Sequence, residues 1–161
     1  MDHALNNREI ASILARHSAT KNIFKGFLHP RDKERPPIKT PSLYVINTDY
    51  ISGPGLHWVL ILYQKNTTIF FDPFGLSPDI HNFQFVTEHS NNSVTYNIFT
   101  VQNFSSRSYA CGHFVITYGI LLCKDYSLKN IEKVFTKNKE VNDSIAIDYV
   151  SCLSKNMNMN L

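Results

Sequence analysis

The chain has 161 residues, of which 43% are hydrophobic and 18% charged, and a formal charge of +3. That apolar content suffices for one packed domain and excludes a disordered chain, while so small a basic excess does not indicate a nucleic-acid-binding protein. Three unevenly spaced cysteines exclude a disulfide framework.

In chain order, Asn6 to Arg16 reads as a helix with Asn7 as N-cap and Ile10, Ile13, Leu14 and His17 on one stripe. Thr20 is placed to cap a short helical turn through Ile23 and Phe24. Pro30, Pro36, Pro37 and Pro41 then punctuate an extended loop, in which Lys33-Glu34-Arg35 is a solvated stretch. Leu43 to Ile46 is a short strand ended by Asn47-Thr48-Asp49. Ser52-Gly53-Pro54-Gly55 is a tight loop. Leu56 to Tyr63 is apolar on both faces, as a central strand must be. Thr67 to Asp72 returns antiparallel to it, and Pro73 and Gly75 end the hairpin. Ser93 to Val101 is another strand.

Ala110 to Cys123 is apolar on every side, the pattern of a helix buried in the centre of a domain. Ser127 caps a helix carrying Leu128, Ile131 and Phe135. Asp143 caps a last one carrying Ile145, Tyr149, Val150 and Leu153. The polar tail 154–161 is expected to fray. No apolar run is long enough to cross a bilayer, and the N-terminus lacks the order of a signal peptide. The expectation is therefore a single domain over residues 1–161, made and used in a reducing compartment, monomeric and free of the membrane.

Cys111 opens the buried helix, where exposed N–H groups and the helix dipole favour a negative charge on sulfur. Gly112 removes side-chain bulk beside it. His57 and Asp72 lie on the two arms of the hairpin. A turn at Gln64-Lys65 sets them directly opposite each other, and a turn at Lys65-Asn66 makes them diagonal neighbours on one face. In either register a carboxylate can hold one ring nitrogen and leave the other free to carry a proton. Gln102 ends a strand nine positions before Cys111. Its amide can donate to the oxyanion formed when a thiolate attacks a carbonyl, with the Cys111 backbone N–H as second donor. Cys123 and Cys152 read as core. The Cys111-x-His113 pair lacks a second ligand pair at zinc spacing, so no metal is expected.

Gly55-Leu56-His57-Trp58, Phe71-Asp72-Pro73-Phe74-Gly75 and Gln102 through Ala110-Cys111-Gly112-His113-Phe114 resemble the signature stretches of adenovirus proteases. The order His, acid, Gln, Cys is shared with the SUMO-deconjugating proteases. The flanks Phe24-Lys25-Gly26-Phe27, Val45-Ile46-Asn47-Thr48-Asp49 and Asn142-Asp143 are similar to proteases of Polinton/Maverick elements and virophages, mavirus among them.

The resemblance implies an α+β, papain-like (Ulp1-like) fold, with a mixed or antiparallel sheet packed on a helix that starts at the nucleophile. It also implies an endopeptidase that cleaves capsid and core precursors in the virion or in host cytoplasm or nucleus. On that basis Cys111 is nucleophile, His57 general base and acid, Asp72 the orienting acid and Gln102 the oxyanion donor. Gly53, Gly55, Trp58 and Gly112 would border the substrate. Asp72 stands where adenovirus enzymes have Glu, and the Gln-to-Cys spacing is longer than in that family. No cofactor is expected, save an activating peptide or weakly bound DNA by analogy. A peptide disulfide-linked upstream of Gln102 does not carry over, because no Cys precedes Cys111. Two other readings use the same residues: a deconjugase for ubiquitin-like proteins, and an inactive binding module on the protease fold.

Overall fold

A computed structural model of the chain describes residues 3–30, 39–48, 57–83, 86, 93–105 and 108–159. Helix α1 spans Asn7–Leu14. Its N-cap is Asn6 rather than Asn7, because Glu9 falls three positions after Asn6 and completes a capping box. The Asn6 side chain accepts from the Arg8 and Glu9 amides, and the Glu9 carboxylate accepts from the Asn6 amide at 2.8 Å. The turn through Ile23 and Phe24 forms, with both amides donating to the Thr20 carbonyl, but the Thr20 side chain does not cap it. Its hydroxyl donates to the Leu14 carbonyl at 2.6 Å and so occupies an acceptor left open at the end of α1. The chain is thereby released into a strand, β1 (Phe24–Leu28).

Five strands form one mixed sheet in sequence order, with β2 at Ser42–Asn47, β3 at Trp58–Tyr63, β4 at Thr67–Phe71 and β5 at Ser93–Tyr96. The outer pairs β1–β2 and β4–β5 are parallel, and the inner pairs are antiparallel. Every residue of β3 is buried, because apolar layers cover both faces of the sheet. On one face Leu43, Val45, Trp58, Leu60, Leu62 and Phe71 pack against the helices. On the other, Tyr44, Ile46, Val59, Ile61 and Phe70 pack under Phe83 and Val86.

The all-round apolar segment is helix α2 (Cys111–Leu122), and every residue of it but Leu121 is buried. Stacking of Phe71 on Tyr118, with centroids 3.6 Å apart, joins it to the sheet. Ser127 caps α3 (Leu128–Glu132) as expected. Helix α4 (Lys139–Asn156) starts earlier than expected, capped by Asn138, whose side chain accepts from the Glu140 and Val141 amides. Asp143 is therefore inside α4 and its carboxylate serves elsewhere. The buried row of α4 is Asn142, Ala146, Val150 and Ser154, at i+4 spacing, with Ile145, Tyr149 and Leu153 on its flanks. Ser154 is consequently ordered core and not the start of a frayed tail; its hydroxyl donates back to the Val150 carbonyl at 2.9 Å. Among the described residues no helix is long and apolar enough to cross a membrane.

Candidate active site

The hairpin register decides how base and acid meet. Tyr63 pairs with Thr68 and Leu60 with Phe71, and the Gln64 amide donates to the Thr67 carbonyl, so the turn is Lys65-Asn66. Of the two expected registers this is the diagonal one. His57 stands just before β3, anchored by the Thr48 amide donating to its carbonyl at 3.0 Å. Asp72 stands just after β4. Across the gap His57 Nε2 lies 2.8 Å from Asp72 Oδ1, with the carboxylate fully buried.

That carboxylate is held from several directions. The Phe74 amide donates to Oδ1 at 2.7 Å, as expected for an aspartate opening a turn. His81 Nε2 lies 2.6 Å from Oδ2. The Asn97 side chain clasps the backbone of Asp72 on both sides, accepting from its N–H at 3.0 Å and donating to its carbonyl at 2.6 Å. This clasp explains why β5 ends at Tyr96 and not at Val101. From Asn97 onward the chain bonds to the acid's turn, and the Val101 and Gln102 amides both donate to the Pro73 carbonyl. Gly75 makes the close approach possible. Its φ is +72°, and a Cβ there would stand 2.7 Å from the Phe99 carbonyl carbon.

Cys111 is 8% exposed at the tip of α2, and its sulfur is near enough to His57 to favour the protonated ring. Nδ1 of His57 nonetheless completes no hydrogen bond of normal geometry. Burial alone would push the imidazole down. The hydrogen bond to Asp72, then the Cys111 sulfur, and the charges of both outweigh it and raise the value from 6.5 to about 9. Asp72 shows the reverse balance: burial pushes it up, but bonds with His57, His81 and the Phe74 amide leave it below the usual carboxylate value. A ring column flanks the base. Phe74 stacks on His57 at 4.5 Å and Phe104 on Phe74 at 4.6 Å.

The structure therefore brings Cys111, His57 and Asp72 into one cluster. Gln102 is buried at 2% exposure beside the turn of Asp72, and its amide nitrogen donates to Ser108 in the segment leading to Cys111. Trp58 and Gly112, expected at the substrate's border, face the core instead. The Trp58 indole N–H donates to the Leu5 carbonyl at 3.0 Å. A Cβ on Gly112 would stand 3.0 Å from Leu5 Cβ and 3.5 Å from Trp58 Cδ1. The glycine lets the N-terminal segment lie against α2. Gly53 and Gly55 fall outside the described residues. Cys123 packs partly buried on the core, whereas Cys152 is exposed on α4, because the inward row of that helix runs through Val150 and Ser154.

The sequence reading passed over His81 and Asn97. Neither lies in an apolar repeat. The available signal was a histidine nine residues beyond the candidate acid. Among the described residues no three His, Cys, Asp or Glu side chains are placed to hold a metal ion. A cavity of about 680 Å³ opens elsewhere, between β5 and α3, and its lining contains neither thiol nor imidazole.

No protein-family model matches the chain, and no curated protein matches it in sequence. Solved structures do match. The ASFV pS273R protease superposes with a TM-score of 0.63 at 18% identity, over 91% of this chain and 68% of that one. The central domain of the Lpg1148 protein from Legionella pneumophila gives 0.50 at 13% identity, over 94% and 99%. The SUMO protease Ulp1 gives 0.44 at 13%, over 91% and 79%. The α+β fold, with its mixed sheet packed on a helix beginning at Cys111, is thus the fold of the ASFV pS273R protease.

Proposed function

We propose that the protein is a cysteine endopeptidase of viral or virus-like-element origin that cleaves capsid and core precursors during virion maturation. One observation carries the reading: a fully buried carboxylate holds an imidazole at 2.8 Å, and the buried cysteine that opens α2 is near enough to that ring to favour its protonated form. Burying an aspartate and a histidine beside a cysteine is costly unless the three are matched to one another.

In the proposed reaction the Cys111 thiolate attacks the scissile carbonyl carbon, and the carbonyl π electrons move to oxygen. Gln102 and the Cys111 backbone N–H donate to that oxyanion. His57, protonated and oriented by Asp72, gives its proton to the leaving amine as the C–N bond breaks. It then takes a proton from water as the water oxygen attacks the thioester carbon; the C–S bond breaks, releasing the acid and restoring the Cys111 thiolate beside the protonated ring. The viral assignment is supported by the adenovirus-type motif order and by the fold shared with the ASFV protease.

The test is cleavage of capsid-precursor peptides alongside a probe bearing the C-terminus of a ubiquitin-like protein. Wild type is expected to cleave the precursor peptides, and Cys111→Ala to fold normally without cleaving. Cleavage of the ubiquitin-like probe alone would shift the reading to a deconjugase. Equal activity in Cys111→Ala would end the cysteine mechanism, and no cleavage by wild type of any substrate would leave a binding module.

A further inference from the structure

A hydrogen-bonded chain runs from the candidate oxyanion donor to the last helix. Gln102 Nε2 donates to Ser108 Oγ at 2.9 Å, and Ser108 Oγ donates to Asp143 Oδ2 at 2.8 Å. The other carboxylate oxygen, Oδ1, accepts from the Asn103 amide at 3.2 Å. We infer that Ser108 and Asp143 are positioning residues that fix the Gln102 amide with its nitrogen, not its oxygen, available to an oxyanion. The inference rests on the endopeptidase reading above.

The argument follows from proton counting. A carboxylate only accepts, and a serine hydroxyl has one proton. With that proton on Asp143, Ser108 Oγ can only accept from Gln102. A flipped amide would set its carbonyl oxygen against the Ser108 oxygen with no proton between them. The two ends of a glutamine amide have nearly the same shape, so packing alone does not choose between them. The polarity of this chain does, and it holds although Gln102 Oε1 is left buried without a hydrogen-bond partner among the described residues. One N–H of the amide is spent on Ser108, and the second remains to donate. Ser108 lies three positions before Cys111, so the amide is tied to the segment that delivers the nucleophile.

Asp143 also explains itself this way. It sits inside α4, one position after Asn142, whose side chain bonds the Val101 carbonyl at 3.0 Å. Two adjacent residues of the last helix thus grip both sides of Gln102: its predecessor through Asn142, and its successor and its amide through Asp143. In Asp143→Asn, Oδ1 still serves the Asn103 amide while an N–H2 faces Ser108. The serine proton is then free to turn to Gln102 Oε1, and the amide reverses.

The experiment compares Ser108→Ala, Ser108→Thr, Asp143→Asn and Gln102→Ala with wild type on a cleaved precursor peptide. Alkylation of Cys111 by iodoacetamide is followed in parallel by mass spectrometry of its peptide. Alkylation at carbon forms no oxyanion and so reports the thiol without the amide. Gln102→Ala is expected to lose roughly 100- to 1000-fold in kcat. Ser108→Ala and Asp143→Asn should lose about 10- to 100-fold in kcat with KM nearly unchanged, as for an interaction made only in the transition state. Ser108→Thr keeps the hydroxyl and should recover most of the loss. Cys111 alkylation should stay within about twofold of wild type throughout, against the kcat losses just given. Wild-type kcat in Ser108→Ala and Asp143→Asn, beside a crippled Gln102→Ala, would overturn the inference and leave the endopeptidase reading intact. So would alkylation that falls in step with kcat, since that marks general disruption. Full activity in Gln102→Ala would instead overturn the oxyanion assignment on which the inference rests.

Discussion

Two buried histidines neighbour Cys111, one just before β3 and one two residues further along α2, and they hold protons in opposite ways. His57 is 8% exposed and is raised to about 9. His113 is fully buried and is lowered to about 4, first by burial and then by the charge of His3. Neither of its ring nitrogens has a hydrogen-bond partner among the described residues, and the Tyr109 backbone approaches without completing a bond. Burial is common to both rings. The difference is the carboxylate, which one has at 2.8 Å and the other lacks. Around the tip of α2 the fold thus favours the protonated form of one imidazole and the neutral form of the other.

The largest expected effect comes from removing that difference at its source. Asp72→Asn keeps the shape and loses the charge. Its kcat/KM is expected to fall roughly 100- to 10,000-fold, the range for a disabled general acid–base. In wild type, activity should decline above about pH 9 as His57 loses its proton, and in the variant that alkaline limb should move down toward 6.5. An unmoved limb would mean that Asp72 does not set the proton affinity of His57.

Stability against pH separates the two rings next. His57 has a folded value above its ordinary 6.5, so it adds stability below that pH which drains away as pH rises through about 9. His113 has a folded value below 6.5, so its neutral burial is unopposed above 6.5 and becomes destabilising as pH falls toward 4, by about 3 kcal/mol in all. Asp72, also depressed, adds to the loss in acid. His113→Leu should therefore be at least as stable as wild type at pH 7 and clearly more stable at pH 5 in denaturant titrations. Equal acid sensitivity in both proteins would show that His113 is not a buried neutral ring. The smallest effect is at the second imidazole on the acid. His81→Gln weakens one charge-assisted bond, worth about 1.5 kcal/mol, and should cost roughly tenfold in kcat/KM without moving the melting temperature much.

What could be read in advance divides along physical lines. The α2 segment was legible because a helix apolar all round has one place to go. The His57–Asp72 meeting was legible because antiparallel pairing ties positions together by simple counting, and only the turn residues were left open. The grip on the acid was not. Asn97 and His81 reach Asp72 through loops whose paths no periodicity encodes. Asp143 looked like a cap because aspartate is a good one, yet Asn138 took that place and left it free for Ser108. Gly112, next to the nucleophile, and Trp58, next to the histidine, were assigned to the substrate's border on the family resemblance, whereas both lie against Leu5 in the core.

The central claim is that partner chemistry, and not exposure, makes Cys111 the reactive thiol, and the three cysteines test it directly. Cys111 is buried, Cys123 is partly buried and pushed up to about 11 by burial and the Asp125 charge, and Cys152 is exposed. Iodoacetamide labelling at pH 7, resolved by peptide mass, should modify Cys111 first in wild type, and His57→Ala should abolish that lead. Labelling that follows exposure, with Cys152 first and Cys111 last in both proteins, would contradict the account.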